Sequence, residues 1–345
     1  MGLPPRTPIY PFGPPPSSEP RPPAAPFNAR TKSDVQQLFN VAERLMEARR
    51  LLPTFFYNMP RAHVTLHTNS IPPSPSDISR PTAYRGFPKM SFSYSDFAND
   101  IAGTRGVVAE MMQAACRVAA LFTHANGIPA IFRGAGRIST PSEAAFQELL
   151  SLKRPDGSVD FYDALRLDAI ASPANYSVHP TEHWILGVPE SEGYLRVTSP
   201  LRRYEDLVNH WQIKAALLPE HQRPPFRADT LQDMTVDMTV NGHVKRNNAV
   251  MHDRFWLMMF LRRWLEDPSR NKKELDMLHR LSVRVLTPSV AILGTGKYSS
   301  RVFVEELGML GSVQGTQRVE IGDKLRCKLD SVQAGLSPRL LLSVA

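Results

Sequence analysis

Proline is the residue that most restricts this chain: there are 31 of them in 345 residues, and eleven fall within residues 1–30. Proline lacks the backbone N–H that helices and central strands use, so residues 1–30 are expected to be an extended, disordered tail. The same prolines deny that tail the amphipathic helix a mitochondrial targeting segment requires. A proline-binding module could in principle read it, but a solvated linker is the simpler reading.

Beyond the tail, prolines and glycines punctuate the helices. From Ser33 the residues Val35, Leu38, Phe39, Ala42, Leu45 and Met46 recur at helical spacing until Pro53 stops them. Residues 60–90, rich in Pro, Ser and Thr, read as short strands and loops. A stronger helix is predicted over about 105–124, closed by Asn126-Gly127 and Pro129. Residues 150–170 are weakly helical. Two further helices are expected, from Pro200 to about Leu218 and over about 248–266, the second carrying Phe255, Trp256, Phe260 and Trp264. After about residue 278 short apolar runs alternate with glycine-containing turns, the texture of a small barrel or sandwich. No internal repeat is found.

Charge narrows the partners. Lys+Arg number 41 against 33 Asp+Glu, a surplus of +8 that suits a polyanion. Two cysteines, Cys116 and Cys327, cannot form a disulfide framework or a four-cysteine zinc site. No run of 18 apolar residues is present. These features are those expected of a soluble, intracellular, basic protein of several domains.

One local pattern carries chemistry. Ser199 and Pro200 read as N-cap and first residue of a helix, yet Arg202 and Arg203 then occupy the first turn, where the helix dipole favours acids. A phosphate would resolve the conflict by accepting from backbone N–H groups, the Thr198 and Ser199 hydroxyls and an arginine fork. Pairing of the arginines with Glu205 or Asp206 is the plainer alternative.

The stretch Tyr194 to Gln212 resembles the signature of the ribonuclease II/R (RNB) family, which reads close to Tyr-x-x-x-Thr-Ser-Pro-Ile-Arg-Arg-Tyr-x-Asp-Leu-x-x-His. The flanks are similar too: Ala174-x-Tyr176-Ser177 with His183-x-x-Leu186-Gly187, and Val108-Ala109-Glu110-Met111-Met112 followed by Pro129 to Arg133. Arg196-Val197 before the signature and His210-Trp211-Gln212 within it resemble the organellar, fungal mitochondrial-like branch. The resemblance implies an α+β fold, with helices packed on a mixed sheet as the C-terminal portion of an RNB catalytic domain, followed by a small OB-type barrel. The expected boundaries are 1–30 for the tail, 31–277 for the partial RNB domain and 278–345 for the barrel.

The family resemblance also implies an activity: magnesium-dependent 3′→5′ hydrolysis of single-stranded RNA to nucleoside 5′-monophosphates. Arg202 would then stabilise charge on the scissile phosphate, with Thr198, Ser199, Arg203, Tyr204, Glu110 and His183 contacting or shaping the RNA site. An RNA helicase, or the family portion absent from this chain, is the protein partner to expect; no membrane partner is. Mitochondrial localisation follows from the branch alone.

The sequence departs from the family at the metal site. The family holds its metals with an Asp-x5-Asp-x-Asp-Asp cluster, but none of the seventeen aspartates here is followed by another. The nearest spacing is Asp160, Asp163 and Asp168, downstream of the expected position. No metal ligands are therefore assigned, and the chain reads as the C-terminal part of a longer nuclease or a truncated one. A non-catalytic RNA-binding subunit or pseudo-nuclease is the alternative. Ala109, Cys116 and Ala135 replace the acidic, Asn and His residues usual in the family. His179 and His183 have the spacing of a zinc helix, but Pro180 lies between them and no third ligand follows.

Overall fold

The computed structural model describes residues 28–58, 61–67, 89–95, 103–218, 224–267, 276–333 and 338–344. The proline-rich tail lies outside them. The chain divides into two compact units. The first contains residues 26–58 and 98–247, the second residues 59–97 and 248–345. The described residues 61–67 and 89–95 and the end of the last long helix fall in the second unit with the barrel.

In the first unit, α1 (Ala29–Arg50) opens on Asn28, whose side chain accepts from the Thr31 N–H, and α2 (Gly103–Ala125) ends before Gly127 in the left-handed conformation. By length and composition α2 could cross a membrane over Thr104–Ala125, a property that a search for unbroken apolar runs passes over. One face of it is packed here, with Cys116 and Ala120 fully buried and Arg117 paired with Glu192 at 2.6 Å, while Val108, Val118 and Leu121 on the other face are exposed. The remaining elements are short: β1 (Phe56–Asn58), β4 (Phe132–Gly134), α3 (Glu143–Ser151), β5 (Ser158–Asp160), α4 (Phe161–Arg166) and β6 (Asn175–Ser177). Strands β1 and β5 pair in parallel, β4 and β6 antiparallel. The weak helical signal at 150–170 thus resolves into the end of α3, a strand and the six residues of α4. Asp160 caps α4, accepting from the Tyr162 N–H at 3.0 Å, and pairs with Arg154 at 3.0 Å, so it serves local structure.

Two long helices finish the unit's frame. Helix α5 spans Tyr204–Leu217, and α6 runs unbroken for 39 residues from Ala228 to Glu266. The sequence pattern predicts only the last half of α6. Its first half is apolar on two sides: Leu231 is buried with Met234 and Met238 against it, while Val236, Val240 and Val244 are exposed. No single stripe stands out from such a pattern.

The second unit is a barrel with a hairpin. Hairpin strands β2 (Arg61–His67) and β3 (Lys89–Ser95) pair antiparallel, and the Ala62 N–H bonds the Gly308 carbonyl at 3.1 Å. The barrel strands are β7 (Leu281–Val285), β9 (Lys297–Val304), β10 (Met309–Gly315), β11 (Lys324–Gln333) and β12 (Arg339–Val344), with the short β8 (Val290–Ile292) beside β9. Pairings β7–β9, β9–β10, β10–β12, β12–β11 and β11–β7 close a ring, with only β10–β12 parallel. This five-stranded closure is the OB topology. Alternation explains it: Leu281, Val283 and Val285 point inward, and Cys327, Leu329, Leu340 and Leu342 line the same core. At the parallel seam a Cβ on Gly311 would lie 2.7 Å from Leu342 Cδ1 and 3.2 Å from the Leu340 carbonyl oxygen, so glycine lets the strands meet without displacing Leu342. In α6, Phe260 and Trp264 pack on this core, whereas Phe255 stays 38% exposed.

Candidate nucleic-acid interface

Helix α5 does not begin at Pro200. Its N-cap is Arg203, in extended conformation, and Glu205 and Asp206 fill the first turn, as the dipole prefers. The expected clash between two arginines and the dipole is absent. Its cause is Asp206: fully buried, its Oδ2 accepts from the Ser199 N–H at 2.7 Å and from Arg203 Nη2 at 2.7 Å. The Ser199 carbonyl in turn accepts from the N–H groups of Arg202 and Arg203, each at 3.1 Å. Residues 199–202 are thereby pinned as a turn ahead of the helix.

Those bonds correct the phosphate cradle read from sequence. The N–H groups of Ser199, Arg202 and Arg203 are occupied, and Arg203 also donates to Thr198 Oγ1 at 3.3 Å. Arg203 therefore pairs with Asp206, the plainer of the two alternatives. Arg202 is different: it is exposed, and its guanidinium has no hydrogen bond or ion pair among the described residues. Beside it Leu201 is fully exposed, and Tyr204 is 53% exposed, edge-on to Trp211 at 6.4 Å.

The turn is held from behind by side chains that grip backbone. Asn209 accepts from the Ile131 N–H at 2.9 Å and donates to the carbonyls of Ile131 and Arg196, both at 3.0 Å. Gln212 donates to the carbonyls of Pro129 and Phe226 and accepts from the Phe226 N–H. His210 Nε2 donates to the Val197 carbonyl at 2.7 Å. Thr198 Oγ1 lies 3.8 Å from the buried Cys116 thiol, and burial, then Cys116, push the Tyr194 hydroxyl's pKa up. Sequence reading passed over Asn209 and Gln212, although polar residues beside Val208 and Ala215 on a helix face are the signal that finds them.

Two other residues expected at the RNA site sit deeper. Glu110 is 4% exposed; Arg49 binds both of its carboxylate oxygens and also donates to Gln113 at 2.6 Å, tying α1 to α2. His183 stacks edge-on with Tyr194 at 5.3 Å, and burial, then Arg133 and Arg196, lower its pKa to about 4. It is neutral at pH 7. Among the described residues no three His, Cys, Asp or Glu side chains converge in a way that could hold a metal ion. The described residues therefore do not make up the magnesium site of the family, and no step is assigned to a metal here.

An arginine-bearing turn on a helix-and-strand unit, in the same chain as an OB barrel, defines an α+β protein. Residues 15–219 match the RNB domain, and the chain belongs to that family. Among curated relatives it is similar to the mitochondrial exoribonuclease II of Schizosaccharomyces pombe, 25% identical over 67% of this chain and 24% of that protein. It is also similar to the mitochondrial protein cyt-4 of Neurospora crassa, 32% identical over 61% of this chain and 19% of that one. The fold matches the Dss1 exoribonuclease active-site mutant of Candida glabrata with a TM-score of 0.70 at 19% identity, over 93% of this chain and 36% of that chain. It also matches Mycoplasma genitalium RNase R in complex with ribose-methylated single-stranded RNA, TM-score 0.61 at 16% identity, covering 92% of this chain and 50% of that one. The chain thus spans about a fifth to a half of the length of these proteins.

Proposed function

We propose that this chain is the RNA-holding portion of an RNB-type 3′→5′ exoribonuclease that hydrolyses single-stranded RNA to nucleoside 5′-monophosphates, with the metal-holding acids supplied from outside the described residues. The observation that carries this reading is Arg202, an exposed guanidinium without a partner among those residues, presented on a turn that Asp206 and Arg203 lock from behind. A guanidinium so placed offers a fork of donors to a phosphate at no cost to the fold. Tyr204 offers a ring face for a base. Thr198, Ser199 and Arg203 shape the turn, His183 packs on Tyr194, and Glu110 ties α1 to α2. On the barrel, Lys297, Arg301 and Arg318 are exposed around the β9–β10 face, with Arg318 5.2 Å above the Tyr298 ring; this is the OB surface that takes oligonucleotides. The organellar names of the relatives support an organellar site of action.

The test incubates the full chain with 3′-tailed single-stranded RNA in magnesium, beside an EDTA control and Arg202→Ala, with and without a polypeptide carrying the family's aspartate cluster. Binding that falls steeply with salt, weakened in Arg202→Ala, and magnesium-dependent release of monophosphates on complementation are expected. The second reading, a non-catalytic RNA-binding subunit, is favoured by the lack of a convergent acid set among the described residues. It would show the same binding and no cleavage under any complementation. Absence of salt-sensitive binding would overturn both.

A further inference from the structure

A second concentration of arginines lies in the first unit, away from the turn's own ion pair. Arg133 on β4 faces Tyr176 on β6 across the ladder, its guanidinium carbon 5.2 Å from the ring centre. Tyr176 donates its hydroxyl to Glu205 Oε1 at 3.0 Å, and Arg196 Nη1 lies 3.3 Å from the same oxygen. Glu205 is 8% exposed and is committed to these two. Arg133 gains no ion pair in this arrangement, and its Nε is buried without a hydrogen-bond partner among the described residues. Arg246, exposed on α6, adds a further positive charge to its surroundings.

The charge count does not close. Arg133 and Arg196 have only the carboxylate of Glu205 close by, which Arg196 and Tyr176 already occupy; Asp206 is taken by Arg203, and His183 is neutral. Burial, then Arg196, hold the Arg133 pKa below its usual range, with Arg246 acting in the same direction. A half-buried cation with an unused donor is costly unless an anion joins it. Arg133 and Arg196 carry the planar forks that suit the two free oxygens of a phosphodiester.

We propose that Arg133, Arg196 and Arg246 form an anion subsite, additional to Arg202, that holds one backbone phosphate of a bound RNA strand. The choice of RNA rests on the function proposed above; the anion subsite itself rests on the arrangement of Arg133 over Tyr176 beside the Arg196–Glu205 pair and on the positive charge left over there.

The experiment measures binding of a short labelled oligoadenylate to the full chain across a salt series, and thermal unfolding with and without inorganic phosphate. Arg133→Gln and Arg196→Gln should each weaken RNA binding roughly ten- to hundredfold and lower the salt slope by about one. Arg133→Lys should recover part of the loss. Arg246→Gln should act in the same direction but less, and its exposed position keeps folding out of the result. Arg166→Gln, which removes an equally charged surface residue paired with Glu148, should change nothing. Phosphate should raise the unfolding temperature of the parent chain and not that of Arg133→Gln. If Arg133→Gln fails to fold by circular dichroism, Arg246→Gln and Arg196→Lys decide the matter. Unchanged affinity and slope in the foldable variants would overturn the subsite. Stabilisation by phosphate that depends on Arg133, in a chain that binds no RNA, would support the anion subsite and remove only the RNA assignment; response to neither ligand overturns both.

Discussion

Replacing Asp206 should unlock the arginine turn. Its Oδ2 receives two charge-assisted donors, the Ser199 N–H and Arg203 Nη2, each at 2.7 Å, and the residue is fully buried. Each such bond is worth about 1.5–3 kcal/mol. Removing one member of a buried pair costs about 3–5 kcal/mol, because the other charge is left without compensation. Asp206→Ala is therefore expected to destabilise the first unit by about 3–5 kcal/mol, which for a unit of this size lowers its unfolding temperature by roughly 6–20 °C. Asp206→Asn keeps the shape and one acceptor oxygen but loses the charge, so it should lie between. Glu148→Gln serves as the comparison: it breaks a pair with Arg166 whose side chains are 50% and 47% exposed, worth about 0–1 kcal/mol. Calorimetry resolves the unit's transition, and repeating it in about 1 M salt should erase the Glu148 effect while leaving most of the Asp206 effect. If Asp206→Ala costs no more than Glu148→Gln, the buried carboxylate does not hold the turn and the account of Arg202 presentation falls with it.

Three other outcomes follow from single residues. His183 has a folded pKa of about 4 against an ordinary value of 6.5; the unfolded chain binds the extra proton between those values, so stability is fully present above about 6.5 and declines by up to about 3 kcal/mol as pH falls to about 4. His183→Gln should flatten that window in pH-dependent denaturation. Gly193 has φ +70°, and a Cβ there would lie 2.9 Å from Phe132 Cδ1 and 3.0 Å from Pro180; Gly193→Ala should cost about 1–3 kcal/mol or more in denaturant titration. Glu110→Gln should weaken the bridge to Arg49 and lower stability by about 1–3 kcal/mol with RNA affinity unchanged, whereas a matching loss of affinity would show that Glu110 touches RNA.

The parts of the fold legible beforehand are those where one apolar stripe faces one core. The barrel strands alternate Leu281, Val283 and Val285 inward, whereas α2 was legible in its extent but not its face, since Val108 and Val118 of the apolar stripe stay exposed and Cys116 and Ala120 are the buried residues. The first half of α6 was illegible because valines on its open side cancel the stripe formed by Leu231 and the methionines. The signature segment misplaced the helix start. Ser-Pro before a helical pattern is a sound capping signal, but a carboxylate seven residues later outcompetes it for the Ser199 N–H. Which arginine was free could not be read either, since Arg202 and Arg203 differ only in which side of the turn they leave.

Asn209 and Gln212 give α5 an unusual indifference to what it rests on. Each side-chain amide meets peptide groups, those of Pro129, Ile131, Arg196 and Phe226, and its hydrogen bonds take nothing from the side chains of those residues. The contact is thus written in a letter common to every amino acid. Sequence drift at 129–131 or 226 can proceed with the helix seated as before, provided that bulk is matched. The freedom is one-sided, because a change at Asn209 or Gln212 has no such slack.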